Sequence, residues 1–289
     1  MGDTDKNVMA RRRAATALGM GPVGATDAGR DLVRWWMGEA GDLAGIEGHI
    51  SVDTPLMHAR ATVRGEATAM MGPLAEQLGL VDAPEADVAR VRALGEGLEP
   101  ERVSLWVEAG PAGLAVGFGM QGPFAVDKAL ATAPEHAARA ALVRAVGLLG
   151  LARVDEVRAT VGMEPAATFF RLPLGAGDAA ASATALAVAI EVSPFEAALV
   201  KHLAGTGPGA ALVVGLNSDG VCAFGVSCGE VSTAVVSGLV AAMPVTGATQ
   251  RDDALRVAFE SALGPEHGRT ATLWRDADGV RVDLGYRIF

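Results

Sequence analysis

The 289 residues, half of them hydrophobic and 20% charged, suffice for one large domain or two small ones, and for a sizeable core. Thirty-four acidic against 24 basic residues leave a formal net charge of −10, which excludes the broad basic surface of a DNA- or RNA-binding protein and confines any anion site to a local patch. Mean hydropathy is +0.30, but alanines and the 37 glycines carry much of it, and no charge-free apolar run reaches the roughly eighteen residues of a membrane span.

Near the N-terminus Arg11-Arg12-Arg13 precede a short apolar stretch from Ala14 to Leu18, which Gly19, Gly21, Pro22 and Gly24 interrupt before a signal-peptide core can form. Residues 1–25 are therefore expected to be a flexible Gly-rich arm, residues 26–289 a single domain, and the protein cytoplasmic. A helix follows the arm, with Thr26 or Asp27 as its cap and Leu32, Trp35 and Trp36 on one side. Beyond it, five segments each read as two short strands joined by a turn: 46–64, 102–121, 154–173, 210–228 and 269–289. Their turns are Asp53-Thr54-Pro55, Gly110-Pro111, Glu164-Pro165, Asn217-Ser218-Asp219-Gly220 and Asp276-Ala277-Asp278-Gly279, all rich in residues that satisfy tight hairpins. The hairpins recur every 54–60 residues.

About thirty Ala- and Leu-rich residues separate successive hairpins, and a breaker splits each connection into two helices. The splits fall at Asp82-Ala83-Pro84, Ala133-Pro134, Ser193-Pro194 and Pro244 to Gln250, with Ser193 expected as an N-cap and Pro194 as the first helical residue. The fold class is thus α+β: five ααββ repeats, ten antiparallel strands and about ten helices. Closing the sheet into a barrel ringed by helices buries every apolar stripe and removes the sheet edges. The alternative is an open antiparallel sheet with helices on one face.

Strand alternation fixes which residues share a face. In the second strand Met57, Ala59, Ala61 and Val63 alternate with His58, Arg60, Thr62 and Arg64; in the last, Val280, Val282, Leu284, Tyr286 and Ile288 alternate with Arg281, Asp283, Gly285 and Arg287. With the apolar set facing the helices, the lumen receives Glu47, His49 and Ser51, then Arg102, Ser104, Trp106 and Glu108, then Glu156, Arg158, Thr160, Phe169 and Arg171, and finally Thr270, Thr272 and Trp274. Strands four, seven and eight, rich in Gly and Ala, offer little. Arg60, Arg64, Arg102, Arg158, Arg171, Arg281 and Arg287 then face only four acids, Glu47, Glu108, Glu156 and Asp283, so an acidic protein has a basic interior. Guanidinium forks suit phosphate oxygens, which makes a diphosphate the candidate anion. The alternative is that these arginines form ordinary ion pairs with the acids.

Across residues 27–289 the repeat pattern resembles the ABBA prenyltransferases, whose α-β-β-α units build a ten-stranded antiparallel barrel ringed by helices. Ile46-Glu47-Gly48 and the closing strand Val280 to Phe289 are most similar to the bacterial peptide-modifying branch. The resemblance implies transfer of an allylic prenyl group from a prenyl diphosphate, the co-substrate, to an aromatic or peptide acceptor. It implies that the seven arginines hold the diphosphate, that Trp106, Phe169 and Trp274 shield the allyl cation, and that Glu47 takes the proton lost by the acceptor. A non-catalytic or differently catalytic barrel binding an anionic small molecule is the competing expectation. This chain departs from the family in having a single tyrosine, Tyr286, whose alternation sends it outward. It has no aspartate-rich diphosphate motif, since Asp252-Asp253 reads as a helix start, and nothing calls for magnesium or another metal. Gly117, Gly119 and Gly122 make no dinucleotide fingerprint, Cys222 and Cys228 are expected as outward-facing buried residues, and His136, His202 and His267 are scattered. No nucleic acid or membrane partner is expected, and the protein is expected to be a monomer.

Overall fold

The computed structural model describes residues 3–38, 47–53, 56–70, 72, 83–162, 166–175, 177–204, 209–242, 250–264, 269–276 and 279–288. Within them the chain runs α1 (Asp3–Leu18), a short 3-10 turn (Pro22–Ala25), α2 (Asp27–Met37), β1 (Glu47–Asp53), β2 (Ala59–Glu66), α3 (Glu85–Leu98), β3 (Arg102–Gly110) and β4 (Gly113–Ala125). It continues with α4 (Val126–Leu130), α5 (Ala137–Leu148), β5 (Arg153–Val161), β6 (Thr168–Pro173), α6 (Ala179–Ala189), α7 (Ala197–Ala204), β7 (Ala211–Asn217) and β8 (Gly220–Gly229). Helices α8 (Thr233–Ala242) and α9 (Gln250–Leu263) then lead into β9 (Arg269–Asp276) and β10 (Gly279–Arg287). Each strand pairs antiparallel with its neighbours in sequence, and β10 closes on β1, with Asp53 opposite Asp283 and His49 opposite Arg287. The result is a closed ten-stranded antiparallel barrel; the open sheet is excluded.

Local chemistry explains several element boundaries. Thr26 caps α2 by accepting from Gly29 N at 2.9 Å, and Asp178 caps α6 by accepting from Ala180 N and Ala181 N. Gly220 and Gly279 open β8 and β10 at φ of 127° and 125°, a region side chains disfavour. The turn residues Thr54-Pro55, Glu164-Pro165 and Ala277-Asp278, the breaker residues Asp82 and Pro244 to Thr249, His267 and the terminal Phe289 lie outside the described residues.

Apolar strand residues face outward into a shell of helices, where Val63, Val103, Phe118, Phe170, Leu273 and Val282 are fully buried. Tyr286 packs in this shell as expected, 1% exposed, its ring 5.5 Å from that of Phe259. Its hydroxyl donates to Glu260 Oε1 at 3.0 Å; Glu260 also accepts from Arg256 and, through Oε2, from Arg269. This buried network ties α9 to the β9–β10 hairpin.

Two expectations are corrected. Of the segment 1–25, expected as a flexible arm, Asp3–Leu18 form α1 and Pro22–Ala25 the 3-10 turn, with Ala14, Ala17, Leu18 and Val23 buried in the core. Trp36 Nε1 in α2 donates to the Arg11 carbonyl at 3.3 Å. The glycines there serve close approach: a Cβ on Gly24 would stand 2.7 Å from the Gly19 backbone, and one on Gly29 would stand 2.0 Å from the Val23 carbonyl oxygen. The helix expected to start at Ser193-Pro194 starts instead at Ala197. Phe195 explains the delay, because its ring leaves the helix path to stack on Phe224 of β8 at 5.4 Å, and Arg275 holds the Pro194 carbonyl.

Candidate functional site

The lumen contains a cavity of about 590 Å³, within the size range of small-molecule pockets. Its walls divide by level along the barrel. Toward the end where the strands meet the helical connections, Arg64, Arg158, Arg171, Arg269 and Arg287 line it together with Gln121, Asp155 and Glu156. Ser51, Thr62, Ser104, Trp106, Thr272 and Trp274 form the middle, and Arg60 and Asp283 stand at its floor. Beyond the floor, toward the hairpin turns, the lumen shrinks to a pocket of about 10 Å³ lined by Asp53, His58, Glu108 and Arg281.

Of the seven arginines read from alternation, Arg60, Arg64, Arg158, Arg171 and Arg287 line the main cavity. Arg281 lines the small pocket beneath it. Arg102 is not among the lining residues; its Nη2 reaches Glu47 at 3.2 Å. Most of these guanidiniums meet acids: Arg60 donates to Glu108 from Nε at 2.7 Å and again from Nη2, Arg158 to Glu156 at 2.6 Å, and Arg171 to Asp155 at 3.4 Å. Arg64 differs. Its guanidinium lies against the Gln121 side-chain amide; turned so that its oxygen faces the guanidinium, the orientation that satisfies both groups, this amide accepts from Nε at 2.7 Å, a neutral partner in place of a bonded carboxylate.

The environment separates the lumen acids and bases. Burial pushes the Glu156 carboxyl up, but Arg158, Arg64 and Arg171 outweigh it and hold the group at about 2. Burial together with Arg64 pushes His49 down to about 4. Burial pushes Asp283 up to about 6, only partly opposed by Arg281 and Arg60, and Glu108 and Asp53 add to the rise. Two lumen carboxylates thus have opposed tendencies.

Glu47, expected as the proton acceptor, does not line the cavity. It occupies the first position of β1 between Arg102 and Arg287, outside the cavity lining, and these guanidiniums outweigh burial to hold its carboxyl below the usual range. The three aromatic residues also divide. Trp106 and Trp274 line the cavity, whereas Phe169 is not among the lining residues and packs edge-on against Trp274 at 6.2 Å. The Trp106 ring carries the Arg60 guanidinium at 4.5 Å from its centroid, and its indole nitrogen is buried with no hydrogen-bond partner among the described residues.

The strands expected to offer little supply the space. A Cβ on Gly117 would stand 2.0 Å from Trp106 Cζ2, one on Gly225 2.8 Å from the Trp274 ring, and one on Gly215 2.7 Å from Phe169. Glycines on β4, β7 and β8 therefore let the large side chains of β3, β6 and β9 lie flat across the lumen wall. Alternation on β4 from Gly117 through Gly119 also reaches Gln121, a cavity residue the sequence reading passed over. Arg269, out of phase with the lumen residues Thr270, Thr272 and Trp274, is the first residue of β9 and bonds Glu260 while reaching the cavity mouth. Cys222, assigned outward, is displaced by a bulge opposite Gly215 and Leu216, and its Sγ stands 3.0 Å from where a Gly215 Cβ would lie, on the Phe169 side. Cys228 is fully buried, and neither cysteine forms a disulfide.

Among the described residues no group of three or more His, Cys, Asp or Glu side chains is placed to hold a metal ion, and no helix is long and apolar enough to cross a membrane. No family model matches this chain, and no curated protein matches it.

Proposed function

We propose that the chain is an ABBA-type prenyltransferase built from five ααββ units, acting as a cytoplasmic monomer on a prenyl diphosphate and an aromatic or peptide acceptor. The observation that carries this reading is the layered cavity of a helix-ringed ten-stranded barrel: guanidiniums at the mouth, led by Arg64, above the indoles of Trp106 and Trp274. In this reading the diphosphate lies against Arg64, Arg158 and Arg171, each charge-assisted hydrogen bond contributing about 1.5–3 kcal/mol. The allylic C–O bond breaks with its electron pair leaving on the diphosphate. The cation that remains lies against indole faces, each stabilising it by roughly 0.5–2 kcal/mol. The acceptor's electrons then form the new bond, and the acceptor loses a proton. No metal enters this scheme.

A second reading, an anion-binding barrel without transfer chemistry, draws on a specific observation. One face of Trp106 is already covered by Arg60, and the single tyrosine lies outside the barrel, so the aromatic shield is thin. One experiment separates the two: thermal unfolding and pyrophosphate release with dimethylallyl diphosphate, geranyl diphosphate and inorganic pyrophosphate. Prenyl transfer requires greater stabilisation by a prenyl diphosphate than by pyrophosphate, together with pyrophosphate release in the presence of an aromatic acceptor. Equal stabilisation by all three with no release favours the anion-binding barrel, and no stabilisation by any of them ends both readings.

A further inference from the structure

Asp283 sits at the floor of the cavity, on the opposite side of the middle layer from the arginine-rich mouth. It lines both the main cavity and the small pocket below, so its carboxylate faces whatever occupies the lower half of the lumen. The other carboxylates near the cavity are engaged: Glu156 and Asp155 accept from Arg158 and Arg171, and Glu108 accepts twice from Arg60. No hydrogen bond to Asp283 is formed among the described residues; its one ion pair there is with Arg281, whose Nε stands 3.3 Å from Oδ1 without hydrogen-bonding geometry. The residues facing it are Thr272 across the strand on β9, Asp53 across the strand on β1, Arg60 on β2, Glu108 on β3, Arg281 on its own strand and the charge of Arg158 from β5. Asp283 is thus ion-paired to Arg281 but accepts no hydrogen bond among the described residues, which leaves its oxygens able to take a proton at this level, and it is held in the range where general bases operate near neutral pH.

We propose that Asp283 is the proton acceptor for the group bound between Trp106 and the cavity floor, and that the acceptor substrate is an aromatic molecule or side chain seated below the diphosphate. The proposal rests on the prenyl-transfer reading. As the acceptor's electron pair forms the bond to the allylic carbon, the leaving electron pair stays on diphosphate at the mouth, and the acceptor's released proton passes to an Asp283 oxygen. Diphosphate at the arginine-lined mouth and base at the floor thereby stand at different levels of the cavity, with the charge of Arg158 felt at both.

The test compares wild type, Asp283→Asn and Asp283→Glu with dimethylallyl diphosphate and the amides of N-acetyl-tryptophan and N-acetyl-tyrosine, following prenylated product and pyrophosphate separately across pH 5–8. Asp283→Asn is expected to lower product formation at least a hundredfold and to remove the acid limb of the wild-type pH profile near 6. Its stabilisation by dimethylallyl diphosphate stays within twofold of wild type in apparent Kd, and Asp283→Glu recovers part of the rate. Product formation by Asp283→Asn at the wild-type rate, with the acid limb intact, overturns the assignment while leaving the prenyl-transfer reading standing. A wild-type protein that binds dimethylallyl diphosphate but alkylates neither amide at any pH overturns the assignment together with the acceptor class. Absence of any binding overturns the underlying reading as well.

Discussion

The Arg60 guanidinium lies 4.5 Å from the centroid of the Trp106 indole while donating from Nε to Glu108 at 2.7 Å, so one cation is shared between an aromatic face and a buried carboxylate. This placement makes Arg60 part of the barrel's internal structure rather than a free ligand for an anion. Arg60→Ala leaves Glu108 without its bonded partner, and breaking a largely buried pair from one side is expected to destabilise by about 1–3 kcal/mol after allowance for its partial exposure. Urea unfolding checks this. Arg60→Met combined with Glu108→Gln is expected to recover much of the loss, and a single Arg60→Ala as stable as wild type would remove the pair from any structural role.

Arg64 behaves in the opposite way. Its partner is the neutral Gln121 amide, so removing it strands no carboxylate, and Arg64→Ala is expected to change unfolding free energy by under about 1 kcal/mol. Losing a charge-assisted hydrogen bond to an anion is worth about 1.5–3 kcal/mol, so binding of dimethylallyl diphosphate should weaken at least tenfold. Calorimetric titration of both proteins measures it.

Stability should depend on pH through three lumen groups of different sign. Glu156 is held at about 2, below its ordinary value, so the stability it contributes is present above about pH 4.5 and is lost as pH falls toward 2. His49, pushed down to about 4, is neutral in the fold where the unfolded chain is protonated, so stability is also lost from pH 6.5 to 4. Asp283 opposes both. Held at about 6, it binds a proton in the fold that the unfolded chain has released, and its contribution falls as pH rises from 3.8 through 6. Asp283→Asn should therefore be more stable than wild type at pH 7.5, by up to about 1–3 kcal/mol, with the difference shrinking at pH 4.5. Urea unfolding at the two pH values decides it; a difference that grows at low pH contradicts the sign.

Gly117 offers a packing test of the aromatic wall. An added Cβ would stand 2.0 Å from Trp106 Cζ2 and 2.6 Å from the Ala159 carbonyl oxygen, so both indole and backbone must move. Gly117→Ala is expected to destabilise by about 1–3 kcal/mol and to shift tryptophan emission. Gly147, exposed near the end of α5 with open space around it, is the control: Gly147→Ala should be neutral or stabilising by up to about 1 kcal/mol.

Much of the barrel was legible in the sequence because strand geometry is local. Period-two alternation assigns faces without knowledge of neighbours, which is why Arg60, Trp106, Trp274 and Asp283 point into the lumen and Tyr286 out of it. Turn chemistry and the spacing of the hairpins likewise need only nearby residues. Pairing across strands depends on register and closure. Only the assembled barrel brings Arg60 to Glu108, Asp283 opposite Asp53, and Glu47 between Arg102 and Arg287. The same assembly turned an apparently loose N-terminal segment into a packed helix, since the burial of Ala14 and Ala17 depends on partners far along the chain. It also gave the lumen glycines their purpose, because the space left by an absent side chain acquires meaning only from the large ring that a neighbouring strand lays across it.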